Sequence, residues 1–330
     1  MPLIDSYKRP IRDLRISLTD RCNFRCFYCL PNGEPPLARK DTILTFEEIA
    51  QIAEIFVSLG VEKIRLTGGE PMLRRDIVSL VEKLEKLKPA LKDVALTTNG
   101  HTFPQYAATL KRAGLDRVTI SLDTLHREKF IDITGVDGLS TALAAIEAAR
   151  EYGFKSVKVN AVIVRGRNDD ELVEFARFAR LHALSFRFIE YMPLDSGHGW
   201  SREMVVPGRE VHAVISAAHP LQLKQSTRGT ETAWRYQFAD GAPGEIGIIA
   251  PVTEMFCGQC SRIRLTADGQ IRTCLFSTGE YNLRDIVRSG ATRETIVNFI
   301  EDVVMKKEPR HYINDDEFVQ PARTMSFIGG

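Results

Sequence analysis

Cys22, Cys26 and Cys29 stand in R-C-N-F-R-C-F-Y-C, a CxxxCxxC spacing. Cys257, Cys260 and Cys274 stand in F-C-G-Q-C and T-C-L-F, a CxxC followed after thirteen residues by a third thiol. These two trios account for all six cysteines of the chain. A 4Fe–4S cubane normally takes four thiolates. Three leave one iron without a protein ligand, and that open corner is what a catalytic metal needs. Zinc is the alternative at each site. It prefers paired CxxC spacings, so a CxxxCxxC loop with no fourth Cys or His nearby suits it poorly. The second trio also reads as a zinc ribbon short of one ligand. His311 could be a stray fourth ligand there, but it falls outside the hairpin that brings the trio together, on what reads as a solvated helix-to-tail turn. That hairpin is signalled by Asp268-Gly269, a two-residue turn that folds Cys274 back towards residues 260–263.

Arg15, Arg65, Lys158, Arg187, Arg262 and Arg264 are cations in or beside strand-like runs. Singly, each reads as an ordinary strand-end charge paired with Asp or Glu. Aimed together into one lumen they would require an anion, because unpaired buried charge is costly. A triphosphate would balance them, and arginine matches phosphate geometry. No GxxxxGK[ST] segment occurs, so phosphates would not be held in the P-loop manner. Gly68, Gly69, Glu70 and Pro71 form a further turn in which glycines allow close approach of a ligand and Glu70 could receive an ammonium.

The elements that must position these groups alternate. Apolar strand-like runs at 14–19, 63–67, 94–98, 117–122, 157–164 and 185–191 are followed by amphipathic helical runs at 45–60, 75–87, 105–113, 141–152, 170–181 and 210–218. Thr45 with Glu48 opens the first helix as a capping box, and Gly60 closes it. Six successive βα units imply a parallel sheet with right-handed crossovers, either doubly wound or an incomplete (βα)6 TIM-like barrel. Polar residues at alternate strand positions (Arg15, Ser17 and Thr19; Lys158 and Asn160; Ser185 and Arg187) favour the barrel. A polar face in a parallel strand must look at something other than covering helices. The predicted architecture is therefore α/β: a partial barrel over residues 1–220, and an α+β extension over 221–330 that covers the barrel opening. The extension begins with strands at 233–238 and 244–249, continues through 262–266 and 271–275, and ends with helices at 283–287 and 293–305. A tail follows.

The chain has 330 residues, 44% hydrophobic and 26% charged, with formal net charge +1. That balance argues against a nucleic-acid surface and against an acidic disordered tail. The start of the chain carries no signal-like apolar stretch, and no run of 18 apolar residues suggests a membrane span. A cytoplasmic protein is expected, whose thiols stay reduced and serve as metal ligands or catalysts rather than disulfides.

CxxxCxxC after the first strand, with an aromatic before the last Cys, resembles the radical S-adenosylmethionine superfamily, and Gly68-Gly69-Glu70-Pro71 matches its second motif. The set R-I-S-L-T-D-R-C-N-F-R-C, L-T-G-G-E-P, L-T-T-N-G, V-T-I-S-L-D, V-K-V-N, R-F-I-E-Y-M, F-C-x-x-C-x-R-x-R-L and terminal Gly-Gly is similar to the GTP 3′,8-cyclase family of molybdenum cofactor biosynthesis. The likeness spans residues 10–330. It implies two 4Fe–4S clusters, on Cys22, Cys26 and Cys29 and on Cys257, Cys260 and Cys274, with S-adenosylmethionine at the first and the guanine of GTP at the open iron of the second. It further implies cofactor contacts at Tyr28, Gly69, Glu70, Ser121 and Met192. GTP contacts are implied at Arg15, Arg65, Thr97, Lys158, Arg262 and Arg264, with Arg187 nearby. The catalytic groups it implies are the first cysteine trio, Arg15, and a Gly329-Gly330 tail reaching into the active site. The implied reaction is abstraction of the 3′ hydrogen of GTP by a 5′-deoxyadenosyl radical, attack of the C3′ radical on C8, and uptake of a further electron and a proton to give 3′,8-cyclo-7,8-dihydro-GTP. An electron donor and a downstream cyclic pyranopterin monophosphate synthase are the implied partners. The oligomeric state stays open, a homodimer included. Two rivals are a peptide-modifying maturase with an auxiliary cluster, which would carry more C-terminal cysteines, and a zinc-stabilised binding protein with no redox chemistry.

Overall fold

A computed structural model describes residues 2–30, 37–195 and 197–329. β1 (Asp13–Ser17) leads into the first cysteine loop and then α1 (Phe46–Ser58); β2 (Lys63–Thr67) is followed by α2 (Ile77–Glu85), and β3 (Asp93–Thr98) by α3 (Phe103–Arg112). After β4 (Arg117–Ser121) come two helices, α4 (Arg127–Thr134) and α5 (Leu139–Glu151). β5 (Val157–Ile163) with α6 (Leu172–His182), and β6 (Ser185–Glu190) with α7 (Gly208–Ala218), complete six parallel units. The alternation arises because each strand buries apolar side chains such as Leu14, Ile16, Ile64 and Leu66 under helices whose inner faces are apolar too, which is the burial pattern of a parallel sheet. Thr45 caps α1 as its sequence predicts: the hydroxyl accepts from Glu48 N at 3.1 Å, and the Glu48 carboxylate accepts from Thr45 N at 2.7 Å.

The remaining strands widen this sheet at both edges. β7 (Leu221–Leu223), β8 (Trp234–Phe238) and β9 (Glu245–Ile249) form an antiparallel meander whose last strand lies parallel to β6. β10 (Arg262–Leu265) lies parallel to β1, and β11 (Gln270–Arg272) and β12 (Tyr281–Asn282) continue outward from it. The order is β12-β11-β10-β1-β2-β3-β4-β5-β6-β9-β8-β7, with β9 and β10 unpaired to each other. The result is an α/β partial barrel whose gap faces the C-terminal region. α8 (Leu283–Arg288) and α9 (Arg293–Met305) flank that region, and α10 (Met325–Ile328) ends it. A second small apolar cluster is formed by Leu194, Val205, Val252, Phe276 and Ile313, contributed by the segments after β6 and β9 and by the C-terminal region.

Three expectations are revised. α4 precedes the helix expected after β4; its short, charge-rich sequence hides the burial of Phe130 and Ile133. The hairpin turn has three residues, 267–269, not two: Thr266 N donates to Gln270 O at 2.9 Å, Gly269 N donates to Thr266 O at 2.9 Å, and Gly269 takes φ +79°, the bulged three-residue form. Ser185, expected on the polar face beside Arg187, instead donates to Glu245 at 2.8 Å across the β6–β9 pair.

Candidate active site

The strand register brings the cations together. Arg15 is level with Arg65 on one side and with Arg264 on the other; Thr97 is level with Thr119, and Thr119 with Lys158. Residues level across a parallel pair share a face, so these side chains enter one lumen of about 450 Å³. All six cysteines and every cation named from the sequence line it, as do Tyr28, Gly69, Glu70, Thr97, Ser121 and Met192. Gly329 reaches it by accepting a hydrogen bond from the Arg264 guanidinium. Gly330 lies outside the described residues.

The trios enter from opposite ends. Cys22 follows the C-terminal end of β1, whereas Cys260 precedes the first residue of β10, Arg262, which is level with Asp13 at the start of β1. At about 3.3 Å per residue, the four steps from Asp13 to Ser17 put on the order of 13 Å between the two levels. Arg15 and Arg264 stand between them.

The first trio is held by backbone. Cys29 N and Leu30 N both donate to Cys26 O, at 2.9 and 2.8 Å. Arg25 N and Phe27 N donate to the last carbonyls of α4, Thr134 O at 2.8 Å and Ile133 O at 3.0 Å. α4 therefore anchors the loop, a role the sequence did not disclose. Gly69 N donates to Thr19 O at 2.7 Å and Glu70 N to Arg21 O at 2.8 Å. A Cβ on Gly69 would lie 2.1 Å from Arg21 O, and one on Gly68, at φ +147°, 2.5 Å from Thr19 O. These glycines thus let two backbone segments meet, besides facing the lumen. Glu70 accepts from Met72 N, Thr98 Oγ1 and Asn99 N at 2.7–3.0 Å; burial pushes its carboxyl up to about 7 despite those donors. Tyr28 donates to Asp123 at 2.6 Å, and Asp123 also accepts from Val162 N at 2.8 Å. Burial lifts Asp123 to about 6 against the pull of both bonds. Asp123, in V-T-I-S-L-D, carried no charge-pairing signal in the sequence and was missed.

Burial pushes the thiols of the first trio up, Cys29 to about 12. At Cys260 burial acts the same way, but Arg262 and Lys307 outweigh it and bring the thiol down to about 7. In neither trio do all three sulfurs lie within 4.8 Å of one another; among the described residues the only such group of potential ligands is exposed His126 and Glu174 with buried Glu171. Tetrahedral zinc at about 2.3 Å Zn–S needs sulfurs roughly 3.8 Å apart, so neither trio is gathered as tightly as a single zinc requires. The open cubane expected from three thiolates fits that looser grouping.

Among the described residues the lumen cations form no ion pair with a carboxylate. Arg15 Nε and Arg187 Nε are buried without a hydrogen bond. Arg65 donates to the hydroxyls of Thr97 and Thr119 at 3.0 and 3.2 Å. Burial pulls Arg15, Arg65 and Arg187 down to about 10, and Lys158 to about 6, where Arg187, Arg117 and Arg65 add repulsion. Such a cluster is a site awaiting an anion. Lys158 supplies a pH test. Its proton is excluded from the free protein between about 6 and its ordinary value near 10.5, so its cost to stability grows as pH falls through that window and is complete below 6. A bound polyphosphate restores the proton. GTP affinity should therefore weaken as pH rises from 6 to 8, and Lys158→Met should flatten that slope relative to the parent when dissociation constants are compared across the range.

Arg9, another residue not singled out by sequence, braces the second trio. Its guanidinium pairs with Asp5 at 2.6 Å, both side chains nearly excluded from solvent, and donates to the carbonyls of Cys257, Pro309 and Glu308 at 2.6–2.9 Å. Breaking a buried pair of this kind costs roughly 3–5 kcal/mol. Arg9→Ala should lower the melting temperature by several degrees and release iron from the second trio while the first retains it; unchanged iron content would show that the loop holds without this brace.

An incomplete parallel barrel with CxxxCxxC after β1 and Gly-Gly-Glu-Pro after β2 defines a radical S-adenosylmethionine enzyme, here with a second cysteine site. Residues 16–179 match the Radical SAM superfamily model and 184–313 the Molybdenum Cofactor Synthesis C model. The chain is 45% identical to GTP 3′,8-cyclase of Streptomyces coelicolor, covering 99% of this chain and 96% of that one, and 42% identical to that of Rhodopirellula baltica, covering 99% and 92%. It is 43% identical to molybdenum cofactor biosynthesis protein 1 of Drosophila melanogaster over 94% of this chain and 54% of that protein. Streptococcus suis SuiB bound to S-adenosylmethionine shares the fold, with TM-score 0.65 at 14% identity over 95% of this chain and 76% of that chain. The chain belongs to the GTP 3′,8-cyclase family. Its cofactors are those of that family, S-adenosylmethionine and 4Fe–4S clusters. The likeness to SuiB is one of fold alone and lends the peptide-modifying reading no support.

Proposed function

We propose that this chain cyclises GTP to (8S)-3′,8-cyclo-7,8-dihydroguanosine 5′-triphosphate, the first step of molybdenum cofactor biosynthesis. The observation that carries this reading is a lumen with a cysteine trio at each end and unpaired cations between them. Cys22, Cys26 and Cys29 hold one cluster; Cys257, Cys260 and Cys274 hold the other. The first cluster, when bound, supplies the electron that cleaves S-adenosylmethionine to the hydrogen-abstracting radical. Tyr28, Gly69, Glu70, Ser121 and Met192 seat that cofactor, with Tyr28 fixed by Asp123. Arg15, Arg65, Thr97, Lys158, Arg187, Arg262 and Arg264 bind GTP, orienting its ribose towards the first trio and its base towards the second. The walls exclude water, so the reacting carbons meet without competing partners. Gly329 completes the wall at Arg264.

We divide the chain into a barrel over 1–220 and an auxiliary, GTP-binding region over 221–330. No helix among the described residues is long and apolar enough to cross a membrane; the protein acts in the cytoplasm, takes electrons from a reduced donor and passes its product to cyclic pyranopterin monophosphate synthase. The test is anaerobic reconstitution with iron and sulfide, then incubation with GTP, S-adenosylmethionine and reductant. 5′-Deoxyadenosine should accumulate only when GTP is present, together with the cyclised nucleotide. Deoxyadenosine formed equally well without GTP would remove GTP as the substrate.

A further inference from the structure

His311 has no place in the scheme above, and its surroundings are not those of the solvated turn its sequence suggests. It is 6% exposed. It lines the lumen beside Leu275 and Phe276, which directly follow Cys274, and its ring packs on that of Phe276 with centroids 5.3 Å apart. Neither ring nitrogen has a hydrogen-bond partner; the Pro251 carbonyl is beside the ring but outside bonding geometry. Burial, the largest influence, holds the ring towards its neutral form.

A buried imidazole with both nitrogens unsatisfied carries a full desolvation cost, and a neutral ring presents one donor and one acceptor. At the cation cluster the missing partner is an anion. Beside His311 the lining is different: Phe276 belongs to a small apolar cluster on which Leu275 and Met325 also pack, although Arg310 and Asp315 also act on the ring, so this part of the lumen suits a flat, uncharged group with polar atoms on its edge. A purine base has that character. The cations proposed to hold the triphosphate lie on β1, β2, β5, β6 and β10, and the second trio with His311 beside it is where apolar walls and an unpaired donor–acceptor pair occur together.

We propose that His311 is a specificity-determining residue that hydrogen-bonds the polar edge of the purine base held at the second cysteine trio. The inference rests on the proposed binding of GTP there. It distinguishes purines because the 6-oxo and 6-amino bases invert donor and acceptor at that edge, and a site built to bond one leaves its own polar group unpaired with the other.

The experiment uses the reconstituted holoenzyme and its His311→Phe and His311→Gln variants, with dissociation constants for GTP and ATP and iron content measured on each. Phe keeps the stacking on Phe276 and removes both polar atoms; Gln keeps a donor and an acceptor. The parent should prefer GTP, His311→Phe should lose roughly tenfold in GTP affinity with ATP unchanged and iron unchanged, and His311→Gln should recover part of the preference. Equal loss of GTP and ATP, loss of iron from the second trio, or unaltered GTP affinity in His311→Phe would each overturn the proposal. Failure of the parent itself to bind GTP would remove the underlying reading as well, so the two failures are told apart by the parent alone.

Discussion

Arg264→Ala should reduce kcat/KM for GTP cyclisation by a factor on the order of 10³ while leaving both clusters in place. Arg264 is buried, is level with Arg15 on one neighbouring strand and Arg272 on the other, and donates to Gly329 O. Burial is the largest influence on its guanidinium and Arg15 adds repulsion, so its proton is held far less tightly than an arginine's usually is. A cation kept under those conditions does work that a neutral residue cannot do, and truncating one partner of a buried charge interaction costs roughly 2–5 kcal/mol, which is 30- to several-thousand-fold in rate. Arg264→Lys retains charge but loses the planar fork and should fall between the two. Steady-state kinetics with nucleotide product and 5′-deoxyadenosine measured in parallel is the assay; an alanine variant within threefold of the parent would show that neither tail nor substrate depends on this residue.

Gly329→Ala should nearly abolish cyclisation, with the melting temperature and iron content unchanged. Gly329 takes φ +79°, and a Cβ there would lie 2.6 Å from Thr67 Cγ2 and 3.3 Å from Ser17 Cβ. The tail cannot accept the methyl without leaving its slot between β1 and β2. Leaving costs little folding energy, because one short helix, α10, docks the segment, yet it strips Arg264 of its carbonyl partner. Thr67→Ser removes the clashing methyl. The double variant Gly329→Ala/Thr67→Ser should regain a substantial part of the activity, short of the parent by the backbone strain of a left-handed alanine, about 1 kcal/mol. Failure of the second change to rescue would place the defect somewhere other than this contact.

Much of this site could be read before any coordinates. The six βα units followed from strand-like runs alternating with amphipathic helical runs, with a capping box at the first helix, and the lumen followed from polar residues at alternate strand positions, of which Ser17, Thr19 and Ser185 turned to other partners. The cysteine trios were visible because spacing alone constrains metal ligands. What stayed hidden shares a different origin. The α4 carbonyls that anchor Arg25 and Phe27 act through backbone, which no side-chain pattern encodes. Arg9 reaches carbonyls some 250–300 positions away in the chain, and Asp123 and His311 owe their significance to burial, which a single polar residue in a sequence does not announce. The glycines of the Gly-Gly-Glu-Pro turn were recognised for ligand approach, but the nearer constraint is the backbone of Thr19 and Arg21.

β9 and β10, the two inner margins of the sheet, do not join. Residues 250–261 link one margin to the other, and they carry Cys257 and Cys260. A closed hoop of strands can admit a bulky guest only by tearing ladder bonds; here the seam has no rungs to tear. The segment that bears Cys257 and Cys260 is thus also the strap across the seam, and one stretch of backbone serves both.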